Sequence, residues 1–344
     1  MDIDFVVLWV DSNDPEWQAQ YRHYRKEEHL EDRARFSNWD FFRYWFRAVE
    51  QYAPWVRKVF LVTNGKFPDW INPDHPKLVL VKHEDYMPAE VLPIFNSNPI
   101  ELFISRIPGL SEHFVYFNDD MYLNAPVTPD YYFHDGLPCD SNEEWLFTAA
   151  EYTPEDHFGI SVNEYICMAV INRHFNRRYT VHQSPRRWLG WYLGRKQLRL
   201  GLRQLMVSLL LFRGRTYFEG FKPRHWERPL LKSVLDEVLA KEPELVRKSC
   251  TRFREDTNLT QYIFRYWQLA SNRFYPACLN EGIHYRLVRD NVDEVCQTLL
   301  DGKLKSVCLN DTPYCPDDDY RMIEQRLIAV FEKKFPEKSS FELS

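Results

Sequence analysis

Short apolar runs, each closed by Asn, Asp or Gly, punctuate the first 125 residues of this chain. Ile3 to Val10, Val59 to Thr63, Leu78 to Val81 and Phe114 to Phe117 are apolar nearly throughout and rich in β-branched and aromatic side chains. That pattern predicts strands covered on both faces, as in a mostly parallel sheet. Within Asn38 to Tyr52, Phe41, Trp45, Ala48, Val49 and Tyr52 recur at helical spacing. Asn98 to Arg106 predicts a second helix, with Pro99 at its first position. Strand and helix alternating in this way point to an α/β fold built on crossover connections.

The polar residues after each run carry more information than the runs themselves. The first ends in Asp11-Ser12-Asn13-Asp14, the second in Asn64-Gly65, the third in His83-Glu84-Asp85 and the fourth in Asn118-Asp119-Asp120. Far downstream, Leu304 to Leu309 ends in Asn310-Asp311. In an open parallel sheet the carboxyl ends of the strands share one edge, and ligands bind there. Turn chemistry explains any one such cluster. Five together predict a polar crevice.

The second half is more helical and less regular. Pro229 to Leu239 and Asn258 to Leu269 read as amphipathic helices. From Arg195 to Arg215 there are six basic residues and no acid, interleaved with Leu, Met, Val and Phe, and Trp188, Trp191 and Tyr192 stand just upstream. A cationic amphipathic stretch with aromatic anchors suits an element lying in a membrane interface; a helix packed on the core with its charges in water fits the same pattern. The tail after Pro336 is expected to fray.

Composition narrows the field. Hydrophobic residues make up 44% and charged residues 27% of the 344, the balance of a globular domain. A net charge of −6 argues against a nucleic-acid partner. Eleven glycines and no G-x-G-x-x-G or G-x-x-x-x-G-K-[ST] leave no glycine cradle for phosphate, so phosphate chemistry here would need side chains and a metal. The seven cysteines are widely spaced without C-x-x-C, which indicates neither a disulfide framework nor a cysteine zinc site. With an acidic, non-apolar start and no run near the roughly 18 apolar residues of a membrane span, a cytoplasmic location is expected; peripheral contact at the inner face of the cell membrane through 188–218 is one of the two readings of that stretch.

Asn118-Asp119-Asp120 is the leading chemical candidate. Adjacent carboxylates after a buried strand suit a hard divalent cation, Mg²⁺ or Mn²⁺, which in turn clamps a diphosphate. Trp9 beside Asp11 and Asp14 offers ring surface and carboxylates to a nucleotide, or alternatively a core indole and a helix cap. His182, followed by Arg186 and Arg187, is a candidate for proton abstraction, as well as for a structural histidine. Arg252 and Arg254 are candidate phosphate clamps, with an ion pair to Asp256 as the plainer reading.

These residues resemble the Stealth family of sugar-1-phosphate transferases, which includes bacterial capsular polysaccharide phosphotransferases. The likeness runs over four blocks and about residues 1–311. The first is Ile3 to Asp11, continuing to Asp14-Pro15. The second runs from Arg43-Tyr44 through Tyr52-Ala53-Pro54-Trp55-Val56-Arg57, Val62-Thr63-Asn64-Gly65, Leu92 to Glu101 and Arg106 to Glu112, to Asn118-Asp119-Asp120. The third is similar at His182 to Arg187 with Arg252 to Asp256, and the fourth at Val307 to Asp311. Two positions depart from the family pattern: Phe41-Phe42 with Asp40 one step earlier, and Ser105 in place of a histidine.

The resemblance implies a mostly parallel, Rossmann-like α/β sheet of the nucleotide-sugar transferase type with a helical elaboration. One catalytic domain is expected over 1–335, its α/β core at about 1–125 plus 300–312, its elaboration at about 125–300, with a tail at 336–344. The implied reaction moves a hexose- or N-acetylhexosamine-1-phosphate from a UDP- or CDP-sugar to a hydroxyl of a growing, in some systems lipid-linked, saccharide, and releases UMP or CMP. Asp120 and Asp311 would hold the metal, Asp119 or His182 would act as base, and Arg254 would take phosphate charge. Trp9, Asp11, Asp14 and Asn64 would hold the nucleotide sugar, with Asn96 and Ser97 near the sugar. A metal-dependent glycosyltransferase releasing UDP and a non-catalytic sugar-binding protein remain as alternatives.

Overall fold

Four parallel strands, β1 (Ile3–Leu8), β2 (Val59–Thr63), β3 (Leu78–Lys82) and β4 (His113–Phe117), stand in the order β3-β2-β1-β4. The computed structural model describes residues 1–25, 39–145, 162–189, 215–277, 280–312 and 315–343. β1 and β2 are apolar apart from buried Asp4 and Thr63 because both of their faces are covered, and Phe5, Val7, Leu61 and Val62 are fully buried. On one side lies the helix Arg43–Tyr52, whose Trp45, Phe46 and Ala48 are likewise fully buried. Trp45 meets Phe117 of β4 edge-on at 5.3 Å. Helical spacing thus becomes a buried face, as the sequence predicts.

Downstream follow β5 (Met121–Leu123), β6 (Phe133–His134), β7 (Leu137–Asp140), β8 (Arg228–Leu231), β9 (Tyr275–Pro276), β10 (Gly282–Arg286) and β11 (Ser306–Asn310). β8 joins the main sheet as an antiparallel edge strand beside β4, with Tyr116 opposite Arg228. The helix expected over Pro229 to Leu239 therefore begins late, at Lys232–Lys241. The short run Pro229-Leu230-Leu231 is taken by the open edge of β4, and proline is tolerated on an edge strand.

β11 is not in the main sheet. It lies in a second sheet, order β10-β11-β5, parallel to β10 and antiparallel to β5. Its end still reaches the end of β4, because β5 starts immediately after the turn at Asn118-Asp119-Asp120 and Leu309 N donates to Asp120 O at 2.8 Å. A third small sheet, order β6-β7-β9, belongs to the elaboration. There Arg265, on helix Tyr262–Ala270, grips buried Asp140 of β7 through two hydrogen bonds of 2.8 and 3.0 Å. Such a pair fixes orientation more than it adds stability, since both charges are desolvated.

The tail departs from expectation. Beyond the helix Asp317–Lys334 the chain folds back over Arg43–Tyr52 and does not fray. Phe341 is buried against Phe46, Asn72 N donates to Phe341 O at 2.7 Å, and Arg47 holds Glu342 with two hydrogen bonds of 2.7 and 2.8 Å. One aromatic anchor and one nearly buried ion pair outweigh the entropy of a short polar terminus. Among the described residues no helix is long and apolar enough to cross a membrane. Of the cationic stretch Arg195–Arg215, all but its last residue lies outside the described residues.

Candidate active site

The carboxyl ends of β1, β2 and β4, the turn before β5 and the end of β11 open onto one crevice, a cavity of about 300 Å³. Trp9, Asn64, Asn96, Ser97, Asp119, Asp120, Arg254, Asn310 and Asp311 all line it. Asp11, Asp14 and His182 are not among its lining residues. Asp11 accepts from Asn13 N at 3.0 Å and Asp14 caps the helix Pro15–Tyr24 by accepting from Trp17 N at 3.2 Å, so both side chains do turn and cap work. His182 is exposed on the helix Arg177–Gln183.

Asp120 is held by three neighbours in the crevice. Its Oδ2 accepts from Asn310 Nδ2 at 3.0 Å and from Cys308 Sγ at 3.3 Å, and His225 Nε2 lies 3.6 Å away. Its Oδ1 is buried and has no hydrogen-bond partner. Desolvation pushes its pKa up, but His225, Asn310 and Cys308 together outweigh it and bring the carboxyl down to about 2. Neighbouring Asp119 opens toward the crevice and goes the other way. Desolvation, then the charge of Asp120, raises it to about 7. Two adjacent carboxyls with separated pKa values are the arrangement expected where one stays anionic and the other exchanges a proton near neutrality.

Three further groups face the same space. Asp311 accepts from Trp39 Nε1, and Trp39 is stacked on Tyr320 at 3.8 Å, which holds the carboxylate in place. Arg254, exposed at the crevice, donates to Ser97 Oγ at 2.7 Å. His83, at the end of β3, also lines the crevice, and burial lowers it to about 4, so it is neutral at pH 7. Trp9 and Phe42 both line the crevice and are stacked parallel at 5.9 Å. Asn96 is committed to the scaffold. Its amide donates to Thr251, Phe253 and Asn258, and its Oδ1 accepts from Asn98 N to start the helix Ser97–Leu102.

His225 was not singled out in the sequence, yet it sits beside Asp120 and lines the crevice. Because β8 runs antiparallel to β4, the residues before β8 arrive at the carboxyl end of β4. The available signal was the polar run Arg224-His225-Trp226-Glu227-Arg228 directly ahead of an apolar strand. It cannot be decoded without knowing the strand's direction.

The oxygen donors fit a hard cation. Asp120 is held anionic with one buried, unpartnered oxygen, and Asp311 lines the same cavity. Carboxylates, a histidine, an arginine and an aromatic wall together can bind a charged, ring-bearing substrate and move a proton.

The chain is similar to several known proteins. The family model described as Stealth protein CR1, conserved region 1, matches residues 1–29, and that described as Stealth protein CR2, conserved region 2, matches residues 35–139. The capsular polysaccharide phosphotransferase WcwK of Streptococcus pneumoniae is 38% identical, over 99% of this chain and 99% of its own length. The receptor polysaccharide phosphotransferase WefC of Streptococcus oralis is 36% identical over 99% of both chains. The exopolysaccharide phosphotransferase cps2G of Lactiplantibacillus plantarum is 36% identical over 99% of this chain and 96% of its own. Among solved structures, the galactosyltransferase LgtC in complex with donor and acceptor sugar analogs covers 96% of this chain and 95% of that one, at 10% identity and a TM-score of 0.38.

Proposed function

The chain belongs to the Stealth family, and we propose that it transfers a hexose- or N-acetylhexosamine-1-phosphate from a UDP- or CDP-sugar to a hydroxyl of a growing capsular or exopolysaccharide, releasing UMP or CMP. The reaction class follows the polysaccharide phosphotransferases that match the chain end to end. The observation that carries the chemistry is Asp120, held anionic by its neighbours and left with one buried oxygen free.

The acceptor oxygen attacks the phosphorus attached to the sugar. The bond from that phosphorus to the bridging oxygen breaks, the nucleoside monophosphate leaves with the electron pair, and the sugar–oxygen bond stays intact. Asp120 and Asp311 would hold Mg²⁺ or Mn²⁺, which when bound offsets the charge on the diphosphate and its leaving group. Arg254 neutralises phosphate charge from the side of Ser97. Trp9 and Asn64, which line the crevice, would receive the ring-bearing part of the donor, and Ser97, bonded to Arg254 and expected near the sugar, would sit where sugar and phosphate meet.

The hydroxyl proton passes to the imidazole of His225. Asp119, raised to about 7, is the competing base. We give the role to His225 because its Nε2 lies 3.6 Å from Asp120 Oδ2; were Asp120 and Asp311 to hold a divalent cation, Asp119 would be kept anionic. His182, on an exposed helix outside the crevice, takes no part in this assignment. A lipid-linked acceptor at the inner face of the cell membrane belongs to the same reading and is supported only by the cationic, apolar composition of 195–215.

The test is the nucleotide product. The protein is incubated with UDP- and CDP-sugars, Mg²⁺ and short capsule-type oligosaccharides, with an Asp120→Ala control. Acceptor-dependent UMP or CMP, absent from the control, is the expected result. UDP or CDP would mean that the sugar–oxygen bond breaks, and the protein would be a glycosyltransferase.

A further inference from the structure

His284 of β10 and Cys308 of β11 are register partners on adjacent parallel strands, and His225 reaches the same point from the segment before β8. One donor atom from each of the three lies within 4.8 Å of the other two, the one such grouping among the described residues. The rings of His225 and His284 are 5.0 Å apart. Asp120 Oδ2 adds a fourth donor, 3.3 Å from Cys308 Sγ and 3.6 Å from His225 Nε2. Bonds of about 2.0–2.3 Å in a tetrahedral zinc site set its donors about 3.3–3.8 Å apart, so small side-chain movements close the set.

The chemistry of this donor set differs from that of the oxygens facing the crevice. Mg²⁺ and Mn²⁺ take carboxylates and water, whereas two imidazoles and a thiolate select zinc and its neighbours. The protein has built both kinds of ligand around one carboxylate, because Asp120 belongs to each.

We propose that His225, His284 and Cys308, with Asp120, form a site for a thiophilic divalent cation of the zinc class, and that filling it switches the enzyme off. Coordination forms a metal–sulfur bond at Cys308 and releases the thiol proton to solvent. It also occupies the imidazole of His225 and draws Asp120 away from the crevice cation, so a single event removes the base and a ligand. The binding claim stands on the donor geometry alone; the inhibition rests in addition on the function proposed for His225.

The experiment uses the full-length, metal-free protein with Co²⁺ as a coloured stand-in for zinc, in the presence of excess Mg²⁺. One equivalent of Co²⁺ should produce a thiolate charge-transfer band with the intense visible bands of tetrahedral cobalt, and Zn²⁺ should bleach both. Cys308→Ala should lose the charge-transfer band, and His284→Ala should weaken binding at least tenfold, both variants being checked for native circular dichroism. Octahedral-type spectra without a thiolate band, or unchanged affinity in both variants, would overturn the site. In the nucleotide-product assay, micromolar Zn²⁺ should stop turnover reversibly by chelator, and each variant, measured against its own uninhibited rate, should need at least ten times more. Binding without inhibition would overturn the switch and the base assignment to His225 while leaving the site intact. Absence of any turnover would count against the proposed function, and the spectra would still decide the site.

Discussion

The side-chain amide of Asn310 donates to Asp120 Oδ2 at 3.0 Å across 190 residues of sequence. This bond ties the end of β11 to the turn after β4, and it orients the carboxylate on which the proposed chemistry depends. Asn310 spends its amide on Asp120, which leaves Asp311, one residue on, to face the crevice from a position fixed by Trp39.

Asp120→Asn should keep the fold and lose turnover by at least a thousandfold. The amide is isosteric but offers neither the charge a cation needs nor an acceptor for all its present donors. Release of UMP or CMP measures the loss, and circular dichroism measures the fold. Residual activity above one tenth would remove Asp120 from the proposed mechanism.

His225→Asn is expected to lower kcat by about a thousandfold with a small change in KM for the donor, the usual cost of losing a general base. His182→Asn should leave both constants unchanged. If the second variant proved the damaging one, the exposed helix Arg177–Gln183 would have to move into the crevice during turnover.

Arg254→Ala should raise the donor KM and lower kcat, each by about tenfold or more, because a charge-assisted contact to phosphate strengthens as charge builds on the leaving group. Arg254→Lys should recover little, since Lys lacks the planar fork. Steady-state rates over a series of donor concentrations separate the two constants.

Asp119 makes the metal-free protein sensitive to pH. Its carboxyl is raised to about 7 in the fold from the ordinary value of 3.8. Between those values the native state keeps a proton that the unfolded chain has lost, so this residue's contribution to stability falls as pH rises toward 7. Asp119→Asn should therefore raise Tm at pH 8 in chelator, and the gain should vanish near pH 4. Scanning calorimetry at the two pH values decides it; an equal shift at both would mean that the proton is not held there.

Phe341→Ala should cost about 3 kcal/mol, the range for removing a buried aromatic ring. Phe341 is buried between Phe46 and His75, and the following Glu342 is held by Arg47. Denaturant titration reads the loss. A change below 1 kcal/mol, small beside the usual cost of a core cavity, would mean that the tail is loosely held in solution.

The four parallel strands, the helix Arg43–Tyr52 and the clustering of Asn64, Asp119, Asp120 and Asp311 in one crevice were legible in the sequence. Strands buried on both faces must be continuously apolar, so they stand out, and parallel order sends every strand end to one edge. The turn and cap roles of Asp11 and Asp14 were legible only as alternatives, because the same short motif serves a nucleotide or a helix end. Three matters were decided by tertiary structure. The run before β8 becomes part of the site because β8 pairs antiparallel with β4, and strand direction leaves no mark on composition. β11 reaches the crevice through a different sheet, and the tail is held by Arg47, a partner 295 residues away. Local sequence sets which residues form a strand or helix; which end of the strand meets Asp120, and so whether His225 meets a carboxylate or solvent, depends on pairing between segments that share no local signal.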